Sequence, residues 1–496
     1  MDSFDTQLKK TNEYGEVVTT QYPISQILGL PSARVHELVM FEDGELGEIF
    51  LMERDYLLVM TFGRSAPKVG SRVVRLEKGL VIKAGEQLLG TIIDPLGFPL
   101  SQIDTFQQPA NEMEIDKSIL GLSERTRTKR PFLTGLSVVD MVMPLGKGQK
   151  ELIIGDRDTG KTLFLLTVMK NRVKDGDVVI YAAIGRSKSD IKKLQQFLQK
   201  EKIAERVIMV VSFSGDSPSL IFLTPYSAMT VAEYFRDCGR DVVVILDDLS
   251  AHARFYREIS LIAKRFPGRD SYPGDIFFIH ARLIERAGSF IHDGQETSIT
   301  CLPVAETVEG DLTGFIPTNL MGMTDGHIFL DSNIYFQGRR PAVNLSLSVT
   351  RVGRQTQSAL LRDINHELTA FLTTYERMQN LSHFGAELTE EAKQTLKLGE
   401  LIYEFFDQPG GEIAPLPVSV MLLCLIWLRL LDDCQGQIGR IRTNLINAYS
   451  GLDARTGAAQ KKLIDELTEA DNFDQMLDQV AKKKEELLTL CKANIK

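Results

Sequence analysis

The stretch "ELIIGDRDTGKTLFLL" sets Gly155, Gly160, Lys161 and Thr162 in the spacing G-x-x-x-x-G-K-[ST]. An apolar strand enters this loop and an apolar helix leaves it, which is the setting that gives the spacing a physical meaning. Glycines let the backbone fold back until successive N–H groups, with the positive end of the helix behind them, converge on an anion. The run Gly155, Asp156, Arg157, Asp158, Thr159, Gly160, Lys161 and Thr162 is therefore expected to cradle phosphates. Lys161 would reach the β and γ phosphates and Thr162 would coordinate Mg²⁺, so the expected ligands are ATP or ADP with magnesium.

A second stretch, "DVVVILDDLS", buries an apolar strand and delivers Asp247 to the C-terminal edge of a sheet. A carboxylate there suits magnesium at one remove, through a bound water. Asp248 is expected to cap the helix that follows. The third stretch, "AAIGRSKSD", ends another apolar strand, where an ATPase of this kind would carry a catalytic carboxylate. The position holds Arg186. Arginine stays protonated and cannot act as a base; its guanidinium can pair with a phosphate oxygen or with Asp190 at the surface.

These residues need a scaffold, and the pattern supplies one. The strands "ELIIG", "DVVIYAAIG", "VIMVVSFS" and "DVVVILDD" alternate with helix-period segments such as "TLFLLTVMKNRVK", the signature of a parallel sheet covered by helices. This central α/β domain is expected over 94–370, after the polar linker that follows "DPLGFPL". Before it, over 21–93, "ELVMF", "GEIFLM", "YLLVMTF", "SRVVRL" and "LLGTIID" are short strands separated by turn residues and predict a small antiparallel barrel. Residues 1–20 are expected as a flexible tail. Over 371–496 the i, i+3, i+4 spacing of apolar residues predicts amphipathic helices. "VMLLCLIWL" is too short to span a bilayer, which takes roughly 20 residues, and is expected as a buried helix.

Composition sets the outer bounds. A chain of 496 residues exceeds one core, at about 100 to 200 residues per domain. Its net charge of −9, from 57 Lys+Arg against 66 Asp+Glu, gives no general electrostatic footprint for nucleic acid. The five cysteines are scattered without a C-x-x-C pair, which argues for reduced thiols rather than a zinc or redox site. The polar start "MDSFDTQLKKTNEYGE" has no apolar h-region, so secretion is not expected. The histidines are dispersed, and His280 in "FFIHARL" reads as a satisfied core or strand-end residue.

In order and spacing, "TGLSVVDMVMPLGKGQKELIIGDRDTGKT", "VVVILDDLS", "YREISL", "PGRDSYPGDIFFIHARLIERA", "DLTGFIPTNLMGMTDGHIFL" and "RRPAVNLSLSVTRVG" resemble the α subunits of F-type ATP synthases. The resemblance covers nearly the whole chain and is strongest over about 131–360. It implies a multidomain α/β protein: an N-terminal β-barrel, a RecA-like P-loop nucleotide-binding domain and a C-terminal α-helical bundle. Catalytic subunits of this family carry a glutamate after the strand that here ends at Arg186, and α subunits carry a glutamine. This chain follows neither, but shares the α subunit's lack of a base. The resemblance also aligns Arg351, in "SLSVTRVGRQ", with an arginine finger presented to the γ-phosphate of a neighbouring catalytic site. The plain structural alternative is a local salt bridge.

Further positions carry over from the family. Tyr335, in place of a phenylalanine, and Arg340 and Pro341 in "YFQGRRP" match residues that frame the adenine. Gln408 matches one of two adenine-contacting glutamines, and the second is lost to an insertion around Gly410 and Gly411. Asp158 stands where the family has glutamine, adding a negative charge near a triphosphate. The loop "FPGRDSYPGD", residues 266–275, matches the sleeve around a rotating stalk, whereas the N-terminal tail is shorter and more polar than the family's usual amphipathic helix, which docks on the peripheral stalk.

The function implied is that of a noncatalytic α subunit alternating with β subunits in a six-membered α₃β₃ ring. Its expected partners are β, the γ central stalk and the δ or peripheral stalk. Membrane association would come only through the Fo sector, on the cytoplasmic face of a bacterial plasma membrane, and coupling would be to protons or sodium ions. Two alternatives share the architecture. A self-sufficient homohexameric ATPase of the flagellar or type III secretion kind would need its own glutamate, and a Rho-type helicase would need a basic nucleic-acid channel.

Overall fold

The computed structural model describes residues 3–100, 106–292, 294–383, 389–451 and 457–492. Alternating burial along short strands closes the N-terminal segment into a six-stranded barrel: β1 (Gly15–Gln21), β2 (Ile24–Gly29), β3 (Glu37–Phe41), β4 (Leu46–Met52), β5 (Leu57–Thr61) and β6 (Arg72–Gly79). The order is β1-β2-β5-β4-β3-β6, and Gly15 opposite Val73 closes the ring, leaving no free sheet edge. Val17, Ile27, Val39, Phe41, Ile49, Val59 and Val73 fill the inside.

Two expectations about this region need correction. Within the expected tail of 1–20, the described residues 3–20 are ordered: a helix, α1 (Phe4–Thr11), is capped by Ser3, and β1 belongs to the barrel. Phe4 is buried beneath the Arg72 guanidinium, so a residue distant in the chain helps hold a segment whose local sequence is merely polar. Likewise "LLGTIID" does not join the barrel. Its core, Ile92–Ile93, pairs in parallel with Val207–Phe213.

The barrel, the α/β part and the helical part are all present, but compactness does not follow chain order. The chain divides into two compact units, one built from Met1–Arg127, Val173–Thr307 and Asp311–Thr324, the other from Thr128–Arg172, Val308–Gly310 and Asp325–Lys496.

In the first unit, the strands Gln295–Glu306, Val242–Asp247, Val178–Arg186, Val207–Phe213 and Ile92–Ile93 lie side by side in that order, each parallel to its neighbour. Val242–Asp247 is buried along its length, as a strand covered on both faces must be. The helices Lys188–Lys200, Pro218–Asp237, Leu249–Ile262 and Ile276–Ile284 accompany these strands. Each of the first three has a side-chain cap, from Ser187, Ser217 and Asp248.

In the second unit, Glu151–Gly155 pairs in parallel with Gly326–Leu330, which pairs antiparallel with Val349–Thr350. The helical region begins with Ala359–His383, which runs through the expected boundary at 370. It continues with Glu390–Phe406, Leu416–Trp427, Ile438–Tyr449, Gly457–Thr468, Phe473–Lys482 and Lys484–Lys492. Leu416–Trp427 contains most of "VMLLCLIWL", and Val418 through Ile426 are buried, as expected. No helix among the described residues is long and apolar enough to cross a membrane.

Candidate functional site

The glycine loop takes the conformation its sequence demands. At Gly155 an added Cβ would lie 2.3 Å from the Leu330 carbonyl oxygen, so the neighbouring strand admits only glycine. Asp158 (φ 63°) and Gly160 (φ 90°) both occupy the left-handed region. Aspartate is among the few side chains that tolerate it, which accounts for Asp158 in conformational terms. Thr159 Oγ1 donates to the Asp156 carbonyl at 2.8 Å, and Gly310 N donates to Asp156 Oδ1 at 2.9 Å. The helix Lys161–Lys174 starts directly after Gly160, putting its positive end behind the loop. Lys161 Nζ donates to the carbonyls of Gly155 (2.8 Å) and Asp156 (2.5 Å), so the ammonium lies over the loop's own backbone. Thr162 is exposed at the first turn.

The residues expected around the base are brought together beside this loop. The Tyr335 ring lies where a Cβ on Gly160 would meet it at 3.4 Å. The Arg340 guanidinium stacks over that ring, 3.5 Å from its centroid, and its Nη1 donates to the Tyr335 carbonyl at 2.7 Å. Gly160, Leu163, Arg340, Pro341, Gln408 and Gly410 share a cavity of only about 20 Å³, room for roughly one water. A Cβ on Gly410 would come within 2.2 Å of Leu163, which shows how tightly the inserted turn packs there.

Gln408 is not free to read a base, contrary to expectation. Its Oε1 accepts from Ser137 N at 3.1 Å, and its Nε2 donates to the carbonyls of Gly135 and Glu412, both at 2.7 Å. The amide ties the segment around Gly135 and Ser137 to the turn at Glu412, and with 1% exposure it needs those partners.

Arg351 lies elsewhere in the same unit. Thr350 is level with Gly326, and Arg351 N donates to the Asp325 carbonyl at 3.1 Å. Gly155, where the loop begins, is level with Leu330. Five residues of strand, about 16 Å, thus separate the level of Arg351 from that of the loop. The Arg351 side chain is exposed. Burial holds the Glu151 carboxyl well above the usual range; Asp325 adds to this, while the Gln149 hydrogen bond and the Arg351 charge oppose it.

In the first unit the strand Val242–Asp247 ends on Asp247, level with Ala183 of Val178–Arg186. Beyond Ala183 that strand bulges. Gly185 turns to φ 63°, and its missing Cβ would sit 3.1 Å from Phe255. The turn aims Arg186 across the strand ends. Its Nη2 donates to Asp247 Oδ1 and lies 3.3 Å from Asp248 Oδ2. The Tyr181 hydroxyl donates to Asp247 Oδ2. Asp248 caps Leu249–Ile262 as expected, its Oδ1 accepting from Ala251 N at 2.5 Å.

Arg186 therefore does not pair with Asp190, whose carboxylate accepts from Ser187 Oγ at 2.8 Å. Burial opposes the guanidinium charge, but Asp247 and Asp248 more than offset it and raise the pKa of Arg186. Burial and the neighbouring Asp247 push Asp248 up to about 6. Tyr181 went unread in the sequence, yet a lone hydroxyl in an otherwise aliphatic buried strand must find a partner, and that was the available signal.

His280 is a core residue, on the helix Ile276–Ile284 rather than at a strand end, and it pairs with His252. In the loop 266–275, Pro267 and Pro273 bridge, and Gly268 N donates to the Tyr272 carbonyl at 2.7 Å, a tight turn with Phe266 almost wholly exposed. A larger cavity in the first unit, about 830 Å³, is lined by Phe50, Tyr226, Tyr256, Arg265 and Arg282 among others, and contains none of the residues expected to hold nucleotide.

Comparison with known proteins gives two family matches. Residues 135–350 match the nucleotide-binding domain of the ATP synthase alpha/beta family, and residues 357–485 match the C-terminal domain of the ATP synthase alpha/beta chain. Curated relatives include the ATP synthase subunit alpha of Acholeplasma laidlawii, 35% identical over 457 residues that cover 92% of this chain and 90% of the relative. The ATP synthase subunit alpha of Neorickettsia sennetsu is 36% identical over 430 residues, covering 85% and 84%. That of Ehrlichia ruminantium is 35% identical over 428 residues, covering 84% of each. The loop, the strand-end carboxylate and the helical region thus occur in one ordered set, and the chain belongs to the ATP synthase alpha/beta family, among relatives named as alpha subunits.

Proposed function

We propose that this chain is the noncatalytic, nucleotide-binding α subunit of the F1 sector of a rotary ATP synthase, supplying Arg351 in trans to catalytic β subunits of an alternating ring. The position of Arg351 carries the reading: it is exposed, and about 16 Å of strand separates its level from that of the chain's own loop. An arginine so placed can serve a neighbour's phosphate but not its own. Its planar, permanent charge suits the spread charge of phosphoryl transfer.

The loop geometry supports ATP or ADP binding. Backbone N–H groups and the helix terminus meet the phosphates, and Lys161 exchanges the Gly155 and Asp156 carbonyls for phosphate oxygens. Tyr335, Arg340 and Pro341 frame the base side, which must open beyond its roughly one-water cavity to admit adenine. Magnesium, when bound with nucleotide, neutralises phosphate charge, and Thr162 is the residue that would hold it. Asp247, the second residue expected for this, already accepts from Arg186 and Tyr181, one donor to each oxygen, which leaves each oxygen a lone pair for a magnesium-bound water. Arg186 also removes the base, so nucleotide is held without hydrolysis. The exposed turn over 266–275 faces the γ stalk in this reading, δ or the peripheral stalk binds the N-terminal region, and the membrane is reached only through Fo, on the cytoplasmic face.

Replacing Arg351 tests the assignment. In a complex reconstituted with β and γ, Arg351→Ala lowers hydrolysis at β sites by about 10³-fold or more while leaving ATP binding to the isolated chain unchanged. Near-normal turnover in the Arg351→Ala complex refutes it.

A further inference from the structure

We infer that the phosphate loop takes the polyphosphate chain alone, and that the turn over residues 409–412 keeps the base outside, so that ATP, GTP, UTP and inorganic triphosphate are equivalent ligands. The inference rests on the reading above that the loop binds nucleotide, and it adds which part of the nucleotide is recognised.

Three observations carry it, all within the second unit. First, the slot beside the loop is too small for a base. Its roughly 20 Å³ holds about one water, where pockets for small organic ligands run from about 300 Å³ upward. The turn itself takes the space: a Cβ on Gly410 would meet Leu163 at 2.2 Å, so even a glycine backbone lies against the first turn of the helix Lys161–Lys174. Second, the turn is fastened on both flanks. On one, Gly411 N donates to Thr167 Oγ1 at 3.1 Å, and Lys170 Nζ donates to the Gly411 carbonyl at 2.8 Å. On the other, Glu412 Oε1 accepts from Arg442 Nε at 2.5 Å, and that buried guanidinium also donates to the carbonyls of Phe405 and Asp407, both at 3.0 Å. Swinging the turn aside would leave a buried cation without its carboxylate, which is strongly unfavourable.

Third, the walls of the slot are bonded to each other. Gln408 N donates to the Arg340 carbonyl at 2.6 Å, and Arg340 N donates to Asp407 Oδ1 at 2.7 Å. A side-chain amide is the group that pairs bidentately with an adenine edge. Here Gln408 commits both amide hydrogens to the carbonyls of Gly135 and Glu412, and its Oε1 faces Ser137 N and Oγ at 3.1 and 3.5 Å. The phosphate side is left open by these contacts. Arg157, Asp158 and Thr162 are exposed, so a phosphate chain can reach the loop while the slot stays shut.

The test is calorimetric binding of ATP, GTP, UTP and inorganic triphosphate, each with magnesium, to the purified wild-type chain and to a variant lacking Gly410 and Gly411. For the wild type the four Kd values are expected to lie within about tenfold of one another. A spread of about tenfold or more, whether ATP over GTP and UTP or between the nucleotides and inorganic triphosphate, overturns the inference while leaving nucleotide binding intact, and needs no variant to be seen. The shortened turn is expected to open the slot and to favour ATP over inorganic triphosphate by at least about tenfold. A folded variant that gains no such preference overturns the assignment to the turn. Binding of none of the four ligands overturns the nucleotide-binding reading itself, and this inference with it.

Discussion

Acid should weaken the first unit through two histidines that cannot take up a proton where they lie. His252 and His280 are 0% and 1% exposed, and their rings meet through Nδ1 of His252 and Nε2 of His280 at 3.0 Å. The Nε2 of His252 lies 3.0 Å from the Phe222 carbonyl, so that nitrogen carries the hydrogen; its Nδ1 then accepts, and His280 Nε2–H donates. Burial pushes His252 down to about 4, against the weaker opposing pull of the Phe222 carbonyl, and burial together with His252 holds His280 well below its ordinary value. In the unfolded chain both titrate near 6.5. Between pH 6.5 and about 4 the unfolded state therefore binds more protons, and stability falls as the pH falls. From pH 7 to 5.5 the loss is about 1 kcal/mol for His252 and about 2 kcal/mol for the pair. A glutamine at 280 can still donate to His252 Nδ1 but does not titrate. Thermal unfolding of the wild type and His280→Gln, followed by circular dichroism across this range, should show the wild type losing about 2 to 4 °C more than the variant. Parallel pH profiles for the two proteins would refute the argument.

Two further predictions concern buried polar groups. Arg286 is 3% exposed and grips both oxygens of Glu233 at 2.9 and 2.8 Å, with further bonds to the Ile115 carbonyl and Thr230 Oγ1. Arg286→Ala leaves a carboxylate buried and unpaired, so it should destabilise the first unit by about 3 to 5 kcal/mol, while a double replacement by apolar residues of similar volume should recover much of the loss in a urea titration. Gln408→Ala removes bonds to Ser137, Gly135 and Glu412 and should lower stability by about 1 to 3 kcal/mol; a loss of ATP affinity with unchanged stability would mean the amide reads the base after all.

The sequence was most legible where chemistry and local structure coincide. The loop from Gly155 to Thr162 announces its own glycines and its own helix, and "DVVVILDD" states both a buried strand and the carboxylate at its end. What could not be read was set by partners distant in the chain. Gly15–Gln21 is polar by local pattern and becomes a barrel strand through β2 and β6, while Ile92–Ile93 looks like its barrel neighbours but pairs with Val207–Phe213. Gln408 was recognisable as a position, yet its three backbone partners, two of them more than 270 residues away, decide what its amide does. Arg186 stands out in the sequence by its type at a strand end. Of the two partners expected for it, Asp190 is near in sequence but not the one it meets, because the bulge at Gly185 turns the side chain toward the end of a neighbouring strand.

The interrupted make-up of the second unit has a bearing on how the protein is made. Glu151–Gly155 leaves the ribosome long before Gly326–Leu330, its parallel partner. At about 5 to 20 residues per second the wait is roughly 10 to 30 s. During that time the strand leading to the phosphate loop is an apolar segment whose edge toward Gly326–Leu330 is uncovered, while the barrel, complete by Gly79, has every strand it requires. Nascent chains of this protein should therefore present the glycine loop to chaperones and proteases as a late-maturing element, acquiring its cradle only after most of the polypeptide has been synthesised.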